Sequence, residues 1–260
     1  MSSNSQLSDR DSTKRFSSRV DNYVRYRPGY PAEIVELLKT DCGLTGTSVI
    51  ADIGSGTGKL TELFLANGNA VFGIEPNKEM REAGERLLAA STNFTSIAAT
   101  AEETGLTKGS VDFITAGQAF HWFDRNRCRT EFARIMKPGG WVVLIWNDRQ
   151  TMTNSFLAEY EQLLKTYATD YSKVDHKQID DEVVAEFFGY VPRKKAFPNL
   201  QEFDYDGLKG RLLSSSYAPE EGQPKFAEMI KDLEKLFSKR QQGGIVRFVY
   251  DTVVYYGKLS

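Results

Sequence analysis

The sequence predicts an α/β fold in which a mostly parallel β-sheet is covered by helices on both faces. Short β-branched runs alternate with segments of helical periodicity between about residues 48 and 146. A glycine-rich turn at residues 54–58 joins the first of these runs to the helix that follows it. Such alternation is typical of a parallel sheet, and ligands bind to these sheets beyond the carboxyl ends of the strands.

The first half of the chain supplies most of the predicted elements. A polar and aromatic stretch up to residue 26 and the sequence RPGYP precede a helix at residues 32–38. Strands are predicted at residues 48–53, 70–75, 94–99, 111–116 and 141–146, with a turn at 137–140 before the last of them. Asp124 is placed to cap a helix. The helix before it has an apolar face formed by Met80, Ala83, Gly84, Leu87 and Leu88.

The pattern changes beyond residue 147. Helical segments at about 152–170 and 180–188 precede a strand near 194–205, a long helical region at 207–241 and a final strand at 245–256. An insertion of this length between two late strands is typical of a lid. The predicted division is a disordered tail at 1–14, an N-terminal cap segment at 15–47, a ligand-binding core at 48–150, and a C-terminal part at 151–260. The C-terminal part completes the sheet and carries the lid.

Composition restricts the class of protein. The 260 residues carry a formal net charge of −2, which gives no general electrostatic reason to bind nucleic acid or an anionic membrane. Cys42 and Cys128 are far apart and lack metal-site spacing, which indicates a reducing compartment. No apolar run approaches the ~18 residues of a membrane span, and no hydrophobic leader is present. We therefore expect a cytoplasmic protein without membrane, nucleic-acid or metal partners.

The turn after the first strand carries the strongest signal for a ligand. Asp52 is near the end of the strand, and Gly54, Gly56 and Gly58 follow it with the spacing G-x-G-x-G. A dinucleotide site has the spacing G-x-G-x-x-G. The spacing found here suits a ligand that lies across the strand end without a pyrophosphate.

Two later strand ends add acidic residues. Glu75 ends the second strand, where a carboxylate can accept hydrogen bonds from both hydroxyls of a ribose. Ala101 and Glu102 follow the third strand, where a backbone N–H and a carboxylate could contact the edge of an adenine. These positions predict a nucleoside-like ligand.

The fourth strand is followed by the sequence GQAFHWFD. Gln118 and Ala119 are predicted to lie against the tail of the ligand, and His121, Trp122 and Phe123 to form the wall of a neighbouring cavity. His121 is a candidate general base. A packed or substrate-orienting histidine is the alternative interpretation.

An aromatic and cationic cluster precedes the sheet. Tyr23, Tyr26, Arg27 and Tyr30 could fold over the site, where Arg27 could hold a carboxylate with two hydrogen bonds. The alternative is a helix packed on the outside of the sheet. Trp146, at the end of the fifth strand, completes the predicted substrate contacts.

Taken together, these residues resemble the class I, Rossmann-like S-adenosylmethionine-dependent methyltransferases. The resemblance runs from about residue 26 to 148 and comprises ADIGSGTG, the acid of GIEPN, AEE, and KPGG before WVVLIW. RYRPGYP, AFHWFD and LLSSSYAP look like a small-molecule branch, similar to trans-aconitate methyltransferase-like and related type 11 proteins. The resemblance implies a sheet of seven strands with the last one antiparallel. The long insert at about 207–241 departs from the family pattern.

The resemblance also assigns roles to individual positions. It implies that the three glycines lie against the methionine part of S-adenosylmethionine and that Glu75 binds its ribose. It further implies that Pro76 lies beside the adenine, Ala101 and Glu102 at its edge, and Gln118 under the sulfonium. The implied function is methyl transfer to a small molecule.

The chemistry of the acceptor stays open in the sequence. A carboxylate acceptor needs only cationic residues, for which Arg27, Arg125 and Arg149 are candidates, whereas a hydroxyl or carbon acid needs a base such as His121. The alternatives to a small-molecule methyltransferase are a non-catalytic cofactor-binding module, a methyltransferase acting on protein or nucleic acid, and a nicotinamide-dependent oxidoreductase. The glycine spacing disfavours the last.

Overall fold

The computed structural model describes residues 19–169 and 180–259, so the predicted tail at 1–14 lies outside the described residues. The strands are β1 Val49–Ile53, β2 Ala70–Ile74, β3 Phe94–Ile97, β4 Val111–Gly117, β5 Met136–Arg149, β6 Arg193–Phe203 and β7 Val246–Gly257. The α-helices are α1 Val20–Tyr26, α2 Glu33–Cys42, α3 Thr61–Ala66, α4 Lys78–Leu87, α5 Arg125–Ile135, α6 Ser155–Tyr167, α7 Asp181–Phe188, α8 Tyr205–Leu213 and α9 Phe226–Arg240.

The strands form one seven-stranded sheet in the order β3-β2-β1-β4-β5-β7-β6. The pairs from β3 to β5 are parallel, and β7 is antiparallel to both of its neighbours, β5 and β6. The predicted fold class is therefore confirmed. The strand order reverses between β1 and β4, and a ligand crevice forms at such a switch point beyond the carboxyl ends of the strands.

Apolar residues cover both faces of the sheet. One cluster packs Phe120, Phe132 and Phe187 against the sheet, and the other packs residues of α2 and α3, such as Leu38 and Phe64. The helices α6, α8 and α9 bury a separate cluster against β7. This third cluster gives the C-terminal insertion a core of its own, which fixes the insertion on the sheet.

Three elements differ from the sequence-based predictions. The strand β5 begins at Met136, inside the predicted helix end and turn, because Met136 pairs with Val111 across a register shift. The predicted helical region at 207–241 is split into α8 and α9, since the intervening residues contain prolines and a glycine with positive φ, Gly222. Leu87 is 56% exposed because α4 ends there and Leu88 takes the buried position.

The insertion between β6 and β7 begins and ends at the same place in the sheet. Phe203, the last residue of β6, is paired with Val246, the first residue of β7. Both helices α8 and α9 therefore lie on a loop whose two ends are cross-strand neighbours. No helix within residues 19–169 and 180–259 is long and apolar enough to cross a membrane.

Candidate functional site

The turn after β1 has a backbone that side chains would obstruct. Gly54 and Gly56 have φ angles of +69° and +57°, a region that L-residues with side chains rarely adopt. A Cβ at Gly54 would lie 2.5 Å from the Cβ of Ala119. The Gly54 N–H donates to the Ile74 carbonyl at 2.8 Å, which ties the turn to the end of β2. The backbone of this turn is thus exposed to the crevice at close range.

Glu75, directly after β2, is held against the same turn. Its two carboxylate oxygens accept hydrogen bonds from the Gly56 N–H at 2.9 Å and the Asn77 N–H at 2.8 Å. Burial raises the pKa of Glu75 above its ordinary value, although these two N–H groups oppose the shift. Each oxygen keeps a further lone pair, so the carboxylate can still accept bonds from a ligand.

A cavity, here called the glutamate cavity, opens beside Glu75. It contains about 770 Å³ of space, part of which is open to solvent. Its lining is Tyr23, Gly54, Gly56, Glu75, Pro76, Met80, Thr100, Ala101, Glu102, Gly117, Gln118, Ala119, Trp122 and Phe123. The structure thus brings the predicted nucleoside contacts together in one lining.

A second cavity, here called the arginine cavity, adjoins the first. It is lined by Tyr23, Arg27, Pro28, Tyr30, Asp52, Gly54, Ser55, Gly56, Thr57, Lys59, Leu60, Gly117, Gln118, His121, Trp122, Asn147, Arg149, Arg211, Ser216, Tyr217 and Tyr250. The two linings share the glycine turn, the end of β4 and the side chains of Tyr23 and Trp122. A ligand in one cavity therefore lies next to a ligand in the other.

Three guanidinium groups reach the arginine cavity from different elements. Arg27 follows α1 and donates to the Ser214 carbonyl at 3.0 Å, while its Nε is buried without a hydrogen-bond partner among the described residues. Arg149 ends β5 and pairs with Glu161 at 2.8 Å, with both side chains less than 10% exposed. Arg211, on α8, is 3% exposed. Among the described lining residues the only carboxylate is that of Asp52.

Arg211 has the fewest bonds of the three. Its Nε is buried without a hydrogen-bond partner in the described part of the chain. Its Nη1 donates to the Ser215 hydroxyl at 3.5 Å, and its guanidinium lies 5.6 Å from the centre of the Phe248 ring. A buried charge with so few partners is costly, so the arginine cavity is poised to accept negative charge.

Tyr217 responds to this positive field. Burial by itself raises the pKa of a tyrosine, but the charges of Arg149, Arg27 and Arg211 outweigh it and hold the pKa of Tyr217 below its ordinary value. The three arginine charges therefore favour a negative charge at the Tyr217 hydroxyl, which lies in the wall of the cavity.

Asp52 lies at the base of the arginine cavity. It is fully buried, and its two oxygens accept hydrogen bonds from the Thr61 hydroxyl at 2.6 Å and the Thr115 hydroxyl at 3.0 Å. Burial raises the pKa of Asp52 to about 6, although these hydroxyls oppose the shift. The ionised carboxylate can thus balance a positive charge, but its ionisation destabilises the folded state.

The shift predicts a pH-dependent cost that Asp52→Asn removes. The unfolded chain releases this proton near pH 4, whereas the folded protein holds it up to about pH 6. Stability is therefore lost as the pH rises from about 4 to 6, and the cost is constant above that window. We expect Asp52→Asn to be more stable by about 1–3 kcal/mol at pH 8 and by roughly half as much at pH 5. Urea unfolding at both pH values measures this, and a pH-independent difference would contradict it.

Gln118 lines both cavities, and His121 lines the arginine cavity. Gln118 has a φ of +59°, which is unusual for a residue with a side chain, and its N–H donates to the Ile145 carbonyl at 2.9 Å. His121 belongs to the 3-10 helix Phe120–Trp122, and its ring centre lies 4.7 Å from that of Trp122. His121 lines only the arginine cavity, while Phe123 lines the glutamate cavity rather than the neighbouring one as predicted.

Several predicted site residues lie outside both linings. The φ of Gly58 is +86°, and a Cβ there would lie 2.6 Å from the Leu88 side chain, so this glycine allows packing against the end of α4. The ring of Tyr26 packs on Gly210 and Phe203. Trp146 is 4% exposed and packs between Phe120 and Tyr255. These placements do not support the predicted ligand contacts of the three residues.

Two further differences concern charged residues. Arg125 is exposed on α5 and lines neither cavity, so it does not join the other candidate arginines. Asp52 lines the arginine cavity and not the glutamate cavity. Among the described residues, no group of three or more His, Cys, Asp or Glu side chains is placed to hold a metal ion.

The sequence analysis missed Arg211, Tyr217 and Tyr250, which all come from the C-terminal third. One signal was present. Arg211 has the helical spacing i+3 from Leu208, and Leu212 follows it, so this arginine lies on the buried face of α8. An arginine on an apolar helix face, next to the sequence SSSY, is a candidate functional position.

Comparison with known proteins agrees with the site. Residues 51–144 match the family described as "Methyltransferase domain". An uncharacterized methyltransferase of Mycobacterium tuberculosis (strain H37Rv) is 38% identical over 142 residues, which span 55% of this chain and 56% of the relative. An uncharacterized methyltransferase of Schizosaccharomyces pombe is 27% identical over 251 residues, covering 93% of this chain and 96% of the relative.

Solved structures show the same fold at low identity. The YcgJ protein from Bacillus subtilis superposes with a TM-score of 0.54 and is 17% identical, covering 88% of this chain and 100% of that one. The fold, the glycine turn and the family match over residues 51–144 lead to one assignment. Residues 51–144 of this chain are similar to a methyltransferase domain, the kind of domain that the sequence motifs predicted.

Proposed function

We propose that the protein is an S-adenosylmethionine-dependent methyltransferase whose acceptor is a small molecule with an acidic group. The observation that carries this proposal is the junction of the two cavities at the glycine turn and the end of β4. One cavity is lined by the residues predicted to contact a nucleoside, and the lining of the other includes three arginines.

The residues of the glutamate cavity fit the cofactor. Glu75 has lone pairs for ribose hydroxyls, and Pro76, Met80 and Phe123 provide apolar surface for a base. The backbone of Gly54 and Gly56 lines the cavity and is placed to contact the amino-acid part, while a Cβ at Gly54 would collide with Ala119. When bound, the cofactor supplies a methyl group already activated by a sulfonium. The protein then has to bind the cofactor and the acceptor, orient them relative to each other and exclude water.

The arginine cavity supports an acidic acceptor. A carboxylate bound to Arg27 and Arg211 would fill hydrogen-bonding capacity that the described structure leaves unused. It would also offset buried positive charge, because Arg149, which pairs with Glu161, is the only one of the three arginines with a carboxylate partner among the described residues. A carboxylate is already deprotonated at neutral pH, so this acceptor needs no general base.

The cover of the arginine cavity favours a small acceptor. Its walls come from α1 on one side and from α8 and the segment after it on the other. This arrangement supports the proposed division into a cap segment at 15–47, a core at 48–150 and a C-terminal part at 151–260 that carries the lid. The net charge of −2 offers no broad basic surface for a polymer. We further propose a cytoplasmic location, which the absence of a disulfide framework in the sequence supports.

Substitution of His121 distinguishes an acidic acceptor, which needs no general base, from a hydroxyl or carbon-acid acceptor, which needs one. With an acidic acceptor we expect His121→Ala to lower turnover less than about tenfold, since general-base catalysis contributes about 10²–10⁴-fold. Cofactor affinity is expected to stay unchanged, because His121 is outside the glutamate cavity. Steady-state kinetics and calorimetry test both statements. A loss beyond a hundredfold would favour a hydroxyl or carbon-acid acceptor with His121 as its base.

The function is tested with cofactor that carries an isotopically labelled methyl group. The protein is incubated with a small-molecule extract that has been separated by anion exchange, and labelled products are identified by mass spectrometry. We expect label in fractions retained by the resin, and at least tenfold less label when Arg211→Met replaces the wild type. Label only in unretained fractions would refute the acidic acceptor, and binding of cofactor without any transfer would indicate a non-catalytic module.

A further inference from the structure

The sequence SSSYAP, residues 214–219, forms a mostly buried segment outside helices and strands. Ser214 and Ser215, directly after α8, are fully buried, and Tyr217 is 9% exposed. Buried backbone outside helices and strands must find hydrogen-bond partners, because water cannot reach its carbonyl groups. The residues that satisfy these carbonyls therefore determine the shape of the segment.

Arg19 provides three bonds to carbonyl groups of this segment and of Leu213, which precedes it. Its Nη1 donates to the Leu213 carbonyl at 3.2 Å and the Ser215 carbonyl at 2.5 Å, and its Nη2 donates to the Ala218 carbonyl at 2.7 Å. The guanidinium is also 3.2 Å from Glu220, and the side chain is 9% exposed. Hydrogen bonds from a charged donor are stronger than neutral ones, so this one side chain constrains the segment at these three carbonyl groups.

The other end of α1 holds the same segment. Arg27 donates to the Ser214 carbonyl at 3.0 Å and to the Ser215 hydroxyl at 3.3 Å. Arg19 and Arg27 flank α1, so the helix is fastened to the segment at both ends. Arg19, however, is absent from both cavity linings, whereas Arg27 lines the arginine cavity.

The segment contributes only to the acceptor side. Ser216 and Tyr217 line the arginine cavity, and the Ser215 hydroxyl also accepts from Arg211 at 3.5 Å. No residue from 213 to 220 lines the glutamate cavity. A change in the course of the segment would thus move Tyr217 relative to the arginines while leaving the nucleoside contacts in place.

We propose that Arg19 is a positioning residue for the acceptor, holding Tyr217 and the Ser215 hydroxyl against Arg27 and Arg211. This inference rests on the proposed function for the identity of the site. Arg19 does not touch the acceptor. It acts through the carbonyl groups of the segment and determines acceptor recognition without affecting the cofactor.

The test uses the full chain with 3-fluorotyrosine in place of Tyr217. Fluorine NMR gives a pH titration for this single phenol, and hydrogen exchange with mass spectrometry reports on residues 213–218. Both measurements are made in the wild-type background and in Arg19→Met, Arg19→Lys and Arg25→Met. Arg25 is an exposed arginine of the same helix and provides the matched control. Calorimetry with S-adenosylhomocysteine tests the glutamate cavity independently.

In the wild type the pKa of the fluorotyrosine should be lower than that of free 3-fluorotyrosine, because three guanidinium groups face it. In Arg19→Met we expect the pKa of the fluorotyrosine to rise and the backbone amides of the segment to exchange at least tenfold faster. Arg19→Lys should restore part of both signals, and Arg25→Met should match the wild type. Affinity for S-adenosylhomocysteine should remain within twofold in every variant.

Two outcomes would overturn the inference. One is a titration and an exchange rate in Arg19→Met that equal those of the wild type. The other is a parallel loss of S-adenosylhomocysteine affinity, which would make Arg19 a general structural residue. If Arg19→Met does not fold, Arg19→Lys decides by the same criteria. Failure of the proposed function is recognised separately, since wild-type protein would then bind no S-adenosylhomocysteine or transfer no methyl group.

Discussion

Arg211→Met is expected to remove most acceptor turnover and to make the protein more stable. Truncating one partner of a buried charged contact costs about 2–5 kcal/mol, so kcat/KM for an acidic acceptor should fall roughly 30-fold to several thousand-fold. In the absence of ligand the same guanidinium is 3% exposed, and its Nε lacks a partner among the described residues. Replacing such a group by an apolar one of similar length is neutral or stabilising by about 1–4 kcal/mol.

A decrease in activity together with an increase in stability would identify Arg211 as a binding residue rather than a structural one. Methyl transfer to the acceptor and thermal unfolding should be measured on the same preparations. Arg125→Met is the matched control, because Arg125 is exposed on α5 and lines neither cavity, and it should change neither quantity. If Arg211→Met lost stability and kept its turnover, Arg211 would be a structural residue and the arginine cavity would not be an anion site.

Glu75→Ala is expected to weaken cofactor binding by roughly 1–3 kcal/mol, or about 5- to 150-fold in Kd. The structure gives two causes. The carboxylate is lost as an acceptor for the ligand, and the N–H groups of Gly56 and Asn77 lose their bonds to it, which loosens the glycine turn. Calorimetric titration with S-adenosylhomocysteine measures the change in Kd.

Glu75→Gln separates these causes, since the amide keeps an acceptor oxygen and the size of the side chain. We expect it to lose less affinity than the alanine variant. Glu82→Ala, on the exposed side of α4, is the control and should bind like the wild type; its only ion pair is with Lys78, at 3.7 Å, among the described residues. Wild-type affinity in Glu75→Ala would show that the nucleoside does not lie beside this residue.

Local patterns were sufficient to predict the sheet and the glutamate cavity. Gly54 and Glu75 directly follow β1 and β2, Glu102 lies in the loop after β3, and parallel strands place their carboxyl ends at one edge. Short-range sequence therefore determines where these groups lie. The antiparallel final strand came from the resemblance to a family rather than from the periodicity of the residues.

The arginine cavity could be predicted only in part, because long-range packing builds it. Arg27, Arg149 and Arg211 are far apart in the chain and meet only when α1 packs on α8 and β7 inserts between β5 and β6. Tyr26 and Trp146 illustrate the converse. Both are aromatic residues next to candidate site residues, yet their side chains pack against other aromatic side chains of the core. Sequence adjacency gives no information about which face a neighbouring residue takes.

The pairing of Phe203 with Val246 has a consequence for how such proteins diversify. Residues 204–245 leave and rejoin the sheet at one rung of the ladder, so a relative's loop of different length could be transplanted there without disturbing strand register. Such a chimera would exchange Arg211 and Tyr217 together while retaining the nucleoside pocket. New substrates could thus be acquired by recombination of a single cassette.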